Sequence, residues 1–293
     1  MKQFLLLSTA AFITAALISS SLPLQPEPKP LTAECYISCI DNVYSSFQEE
    51  SAQKEFQSWH PEPMSFNYVQ QLGTSLEFNT PDGSKGSGYY VASKKKTKNV
   101  VLVIQEWWGL NDHIKERADF LSKELGNAHV LALDMYDGKV ATTRDSASKY
   151  VQGATRERLE AIIQGAIAHF GKDAKIYTIG WCFGGMWSLQ ASLLAGNQAA
   201  GCVMFYGRPE TQVERLKTLS CDVLGIFGKL DRSPSPEMVQ QFETNMQAAG
   251  KKLNTHMFEA GHGFANPSNP AFKPEATEEA YKLVLSFLKE RIR

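Results

Sequence analysis

Gly180-Trp181-Cys182-Phe183-Gly184-Gly185 is the stretch from which the rest of the chain is read. A β-branched run, Lys175 to Ile179, leads into it, and an apolar helical segment, Gly185 to Leu194, leaves it. The glycines therefore sit in a sharp strand-to-helix turn. Residues two before and two after the cysteine must lack bulk in such a turn, and Gly180 and Gly184 occupy those positions. The turn thrusts the Cys182 side chain up at the C-terminal edge of a sheet, where the helix N-terminus favours a thiolate. This is the pattern of a nucleophile elbow with cysteine in place of serine. A small buried cysteine in the glycine-rich turn of a nucleotide-binding fold would look similar, so context must decide.

Working outward, short apolar runs alternate with amphipathic helical segments from Val69 onward, the mark of an α/β domain with a mostly parallel sheet covered by helices on both faces. Ser75 to Phe78 and Gly86 to Val91 read as antiparallel edge strands around the turn Pro81-Asp82-Gly83. Val100 to Gln105 reads as the first fully buried strand, followed by a helix from Asn111 to Leu125 and a strand from Ala128 to Leu133. Helices are expected over Arg144 to Tyr150 and Thr155 to Phe170. After the elbow come strands Gly201 to Phe205, Val223 to Phe227 and Leu253 to Phe258, with helices Pro236 to Ala249 and Pro274 to Arg291. Lys94-Lys95-Lys96 reads as a solvated hairpin tip.

A cysteine nucleophile in a hydrolytic site needs a base, and the base needs a carboxylate to fix its tautomer. Asp231, in Gly228-Lys229-Leu230-Asp231, follows one parallel strand, and His262, in Gly261-His262-Gly263-Phe264, follows the next. Cysteine, acid and histidine thus stand in nucleophile–acid–histidine order, each past the C-terminal end of a strand, where open α/β sheets place ligands. His60, His113, His129, His169 and His256 lack such settings and are read as structural or surface groups.

With these residues in place, the sequence resembles the dienelactone hydrolase family of α/β-hydrolases from about Ser87 to the C-terminus. Gln105-Glu106-Trp107-Trp108-Gly109-Leu110-Asn111 is similar to the family's element after its first central parallel strand. The resemblance implies that Glu106 pairs with Cys182 or its proton at rest and swings aside when substrate enters. The backbone N–H groups of Trp107 and Phe183 are then the expected oxyanion donors. Similarity of the loops Leu133 to Ala141 and Phe205-Tyr206-Gly207 to family loops implies that Tyr136 and Tyr206 line the substrate site. Arg144 stands roughly where members that hydrolyse carboxylated lactones keep a carboxylate-binding arginine. Where those members carry a second arginine, shortly after the histidine, this chain has Asn266. A neutral amide cannot make the bidentate charged contact of an arginine, which argues against dienelactone itself as substrate.

Composition bounds the remaining choices. The 293 residues carry 30 Lys and Arg against 31 Asp and Glu, a formal charge of -1, with nothing that asks for nucleic acid. Lys2 followed by the uncharged stretch Phe4 to Ile18, then Ser19-Ser20-Ser21 and the proline-broken Pro23 to Pro30, has the layout of a secretory signal. Residues 1–24 are accordingly expected to be a signal peptide, with an uncleaved anchor as alternative; 25–68 an N-terminal arm, in which Leu31 to about Trp59 reads as a polar helix or irregular segment that packs loosely; and 69–293 the hydrolase-like domain. The expected location is periplasmic or secreted, or the inner membrane if the anchor stays. Besides Cys182, the chain has Cys35, Cys39, Cys202 and Cys221. The first pair could bridge across one helical turn; buried free thiols suit the second. No CxxC spacing supports a metal or dithiol site.

The expectation is a monomeric, cofactor-free enzyme that cleaves a small ester or lactone through an acyl-enzyme on Cys182. A thioesterase or acyltransferase on the same residues is the enzymatic alternative. A ligand-binding or redox-responsive protein without turnover is the non-enzymatic one.

Overall fold

The computed structural model describes residues 43–292; the expected signal, Cys35 and Cys39 lie outside the described residues. Its centre is an eight-stranded sheet in the order β1-β2-β4-β3-β5-β6-β7-β8. The strands are β1 (Thr74–Asn79), β2 (Lys85–Val91), β3 (Asn99–Ile104), β4 (His129–Leu133), β5 (Lys175–Trp181), β6 (Ala199–Phe205), β7 (Val223–Gly228) and β8 (Leu253–Phe258). β1–β2 and β2–β4 pair antiparallel and every other neighbour pairs parallel. Every residue of the central strands β3 and β7 is buried, whereas edge strand β1 buries only Phe78 fully. That is why the middle strands read as unbroken apolar runs and the edge does not. Because β4 lies between β2 and β3, the lysine cluster sits on a connection that passes over β4 rather than at a hairpin tip.

Helices α3 (Asp112–Leu125) and α9 (Pro274–Arg291) pack together on one face. On the other lie α5 (Arg156–His169), α6 (Phe183–Ala195) and α8 (Pro236–Ala248), with the short α4 (Arg144–Gly153) and α7 (Val213–Leu216) at the margins. Local chemistry sets the helix starts: Asn111, Thr143, Thr155 and Ser235 each accept a hydrogen bond from a first-turn amide as N-caps. The chain runs from β3 outward to β4, then crosses back to β5 on the other side of β3, so β3 and β5 flank a topological switch point. Ligands bind beyond the carboxyl ends of strands at such a point. Among the described residues no helix is long and apolar enough to cross a membrane.

The segment before the sheet departs from the expectation of loose packing. Residues 43–51 are helical, here α1, and Lys54–Ser58 form α2. Val43, Tyr44, Phe47 and Phe56 are buried within the main core. Tyr44 Oη donates to the carbonyls of Val151 (3.0 Å) and Ala154 (2.9 Å) at the end of α4, and Ser148 Oγ donates to Ser51 O (3.0 Å). Arg208, just past β6, forms an ion pair with Glu50 and donates to Ser46 Oγ at 2.9 Å. The apolar side chains of the arm recur at helical spacing, and the domain offers them an aromatic face of Phe183 and Trp187.

Candidate active site

Cys182 sits in the turn between β5 and α6 with φ 55° and ψ -117°, a left-handed conformation that costs a non-glycine residue about 1–3 kcal/mol. The surrounding glycines make that turn possible. A Cβ on Gly180 would lie 2.1 Å from Gly184 O, and one on Gly185 would lie 2.4 Å from Phe205 O. Cys182 is 4 % exposed. Burial pushes its thiol above the usual range, and nearby Glu106 adds to the rise; His262 and the Phe183 amide only partly oppose them. The helix N-terminus alone therefore does not make a resting thiolate, contrary to the simplest reading of the turn.

The loops after β7 and β8 bring Asp231 and His262 together. His262 Nδ1 lies 2.8 Å from Asp231 Oδ2, while Asp231 Oδ1 accepts the Ser233 amide at 2.9 Å. Burial works against an imidazolium at His262, but Asp231, and Cys182 once ionised, outweigh it and hold its pKa well above the ordinary value. The Cys182 part of that effect is present only when the sulfur is a thiolate, so thiol and imidazole titrate as a pair. His262 Nε2 is buried, faces the Cys182 side of the site and is near enough to the sulfur to favour its thiolate.

Glu106, immediately beyond β3, is buried but does not pair with the sulfur. Its Oε2 accepts from Asn266 Nδ2 at 2.6 Å and its Oε1 from Tyr206 Oη at 3.3 Å. Burial raises its pKa; His262, Asn266 and Tyr206 moderate that rise. The resting partner of the thiol is instead His60, whose Nε2 lies 3.7 Å from Cys182 Sγ. This corrects the reading of His60 as a structural or surface group. It is buried, stacked on Phe56 (ring centroids 4.2 Å apart) and edged by Trp107 (4.7 Å) and His262 (4.8 Å). His60 Nδ1 contacts Phe56 O at 2.8 Å, and a carbonyl only accepts, so the proton is on Nδ1 and Nε2 presents a lone pair. Burial and the neighbouring His262 lower its pKa well below the usual value, keeping it neutral. The apolar periodicity of residues 43–56 could have revealed a docked arm; nothing local to His60 pointed to the sulfur.

Tyr206 packs edge-on to His262 at 5.0 Å, and Tyr136 packs on Phe183 at 5.4 Å, so both border the site. Arg144 opens α4, and no contact among the described residues joins it to Cys182, His262 or Glu106. The Trp107 amide has no acceptor among the described residues, and the Phe183 amide is near enough to Cys182 to favour its thiolate. Trp107, Phe183 and Trp187 are fully buried and serve the core as much as any pocket. Cys202 and Cys221 are free thiols. Among the described residues, His60, Cys182 and His262 form the one group of donors near enough to hold a soft metal ion, their atoms lying within 4.8 Å of one another.

Comparison with known proteins places the chain in a family. The model of the dienelactone hydrolase family matches residues 87–292. The chain belongs to the dienelactone hydrolase family. A carboxymethylenebutenolidase of Pseudomonas sp. strain P51 is 29% identical over 234 residues, covering 74% of this chain and 95% of that protein. Among solved structures, a dienelactone hydrolase-like promiscuous phosphotriesterase from metagenomic libraries superposes with a TM-score of 0.65 at 23% identity, over 75% of this chain and 99% of its own. The Pyrococcus furiosus esterase Pf2001 does so with a TM-score of 0.59 at 19% identity, over 80% of this chain and all of its own (100%). These structures share the α/β-hydrolase fold that this member of the dienelactone hydrolase family adopts. The matched span begins after the arm, so the family model does not include His60.

Proposed function

We propose that this dienelactone hydrolase family member cleaves a small, uncharged ester or lactone through a Cys182-His262-Asp231 triad and an acyl-enzyme. The observation that carries this reading is the His262–Asp231 contact of 2.8 Å beside a cysteine held in a left-handed elbow. Asp231 fixes the Nδ1–H tautomer of His262, leaving Nε2 to take the thiol proton as sulfur adds to the carbonyl carbon. The amides of Trp107 and Phe183 stabilise the oxyanion. The leaving oxygen collects the proton from His262, and water then releases the acyl group as a carboxylic acid. Preference for uncharged substrates follows from Asn266, whose amide is engaged with Glu106 and offers no cation to a substrate carboxylate.

The test is hydrolysis of a small aryl acetate by reduced protein, with mass spectrometry of the quenched enzyme. Turnover with acetyl on Cys182, lost together in Cys182→Ala, is the expected result; full activity in Cys182→Ala overturns the reading. Export completes the proposal, resting on the apolar run Phe4 to Ile18 and the break that follows. N-terminal sequencing of the protein recovered from a periplasmic fraction tests it, and intact Met1 on protein confined to the cytoplasm would refute it.

A further inference from the structure

We propose that His60, brought to the nucleophile by the arm, is a second active-site histidine that holds the hydrolytic water for deacylation. The inference rests on the acyl-enzyme reading above and adds a residue outside the span matched by the family.

In the resting site the Cys182 S–H is the donor for His60 Nε2, 3.7 Å away. Acylation removes that proton from sulfur. His60 Nε2 is then a buried acceptor without a donor, as is His262 Nε2 once it has given its proton to the leaving oxygen. An unsatisfied buried acceptor costs about 1–3 kcal/mol, and one water relieves both. Two acceptors bridged by a single water at ordinary hydrogen-bond lengths stand about 4.4–4.8 Å apart. The Nδ1 atoms of the two rings are turned to Phe56 O and Asp231, which leaves both Nε2 atoms toward the sulfur. The ligand atoms of His60, Cys182 and His262 lie within 4.8 Å of one another. A water so held has both O–H bonds directed at nitrogen and a lone pair free for the thioester carbon, beside the sulfur.

The atoms balance with no further reactant. Water oxygen bonds to the thioester carbon, and one of its protons moves to His262 Nε2. The other O–H stays hydrogen-bonded to His60 Nε2 and becomes the hydroxyl of the acid. Collapse breaks the C–S bond, and the departing sulfur recovers the proton from His262, which restores the S–H donor for His60. Strong basicity is not required of His60, which only accepts a hydrogen bond and stays neutral.

The position of His60 is fixed from both sides, by Phe56 O at Nδ1 and by the rings of Phe56 and Trp107. The experiment compares His60→Phe, which keeps an aromatic ring there without an acceptor, with His60→Gln, which keeps an acceptor. Acylation and deacylation of Cys182 by an aryl acetate are followed separately, by the pre-steady-state burst and by mass spectrometry. The expected result for His60→Phe is deacylation slowed by about 10²-fold or more with acylation changed less than about tenfold, so that acyl-Cys182 accumulates. His60→Gln should recover part of the deacylation rate. Equal slowing of both steps, no change in either, or no recovery by glutamine overturns the role of His60 while leaving the triad standing. Wild-type protein that neither acylates nor turns over removes the acyl-enzyme reading, and this proposal with it.

Discussion

Gly184→Ala tests how tightly the elbow is tied to the strand beside it. An added Cβ would lie 2.2 Å from Ile104 O, 2.3 Å from Gln105 O and 2.7 Å from Ile104 C, all backbone atoms at the end of β3. Contacts under 3.0 Å essentially never occur for a real Cβ, so the elbow and the end of β3 must part by about 1 Å. No side chain can swing away to relieve this. Overpacking of this kind costs about 1–3 kcal/mol, and the upper end applies because β3 is held by parallel ladders to both β4 and β5. For a domain of this size about 3 kcal/mol lowers Tm by roughly 6–12 °C. Since Glu106 follows these carbonyls and Cys182 lies two residues from Gly184, the same shift enters the site, where about 1 Å can cost about 10²-fold in rate. Thermal unfolding and aryl acetate hydrolysis are the assays, with Gly153→Ala, whose Cβ meets nothing within 4 Å, as control. A Gly184→Ala protein that melts within about 2 °C of wild type and keeps more than half its rate would refute the reasoning.

Asp231→Asn should lower kcat by about 10³–10⁴ with little change in fold, because the amide no longer selects the Nδ1–H tautomer of His262; a loss under about tenfold would remove Asp231 from the triad. Arg208→Ala breaks the ion pair with Glu50 that helps dock the arm, and should speed alkylation of Cys182 by a small haloacetamide while lowering stability by about 1.5–3 kcal/mol; unchanged alkylation would mean that the arm does not shield the sulfur. His60 is buried neutral with a lowered pKa, so its contribution to stability is complete above the unfolded value near 6.5 and falls as pH drops from there towards the folded value. Glu106, with its raised pKa, contributes in the opposite sense at acid pH, so the comparison is made between variants that both retain it. Urea unfolding at about pH 7 and pH 5 should show wild type losing up to about 1.4 kcal/mol per pH unit more than His60→Phe, and parallel losses would show that His60 titrates alike folded and unfolded.

The parts of the fold and site that were legible in the sequence are those set by local rules. The buried strands announce themselves because both faces of β3 and β7 are covered, and the helix starts because Asn111, Thr143, Thr155 and Ser235 cap them. The elbow was legible because backbone crowding admits only glycine at 180 and 184. What was not legible depends on contacts between distant segments. The sulfur's partner is 122 residues away in sequence, and Glu106 is tied to Asn266 160 residues on. The arm looked loose because its polar residues were weighed without the aromatic face that receives Tyr44 and Phe47. Arg144 fell where the resemblance suggested an arginine, but a position in a helix N-terminus does not by itself reach the site.

Asn266 and His60 can be understood as two halves of one change in the proton inventory of the site. An arginine beside Glu106 would add a fixed positive charge; Asn266 and Tyr206 are neutral donors, and burial raises the Glu106 pKa against His262 and these two. Both carboxyl oxygens are engaged, so moving Glu106 to the sulfur would strand two hydrogen bonds in a buried setting, at about 1–3 kcal/mol for each group left unpaired. The thiol still needs an acceptor, since a buried S–H without one would leave the resting site poorly determined. His60 supplies it without adding a charge, because its proton is fixed on Nδ1 by Phe56 O. The group in the cluster whose imidazolium is favoured is then His262, through Asp231 and an ionised Cys182 together. In the proposed mechanism the thiol passes its proton to that histidine as the carbonyl carbon takes the sulfur.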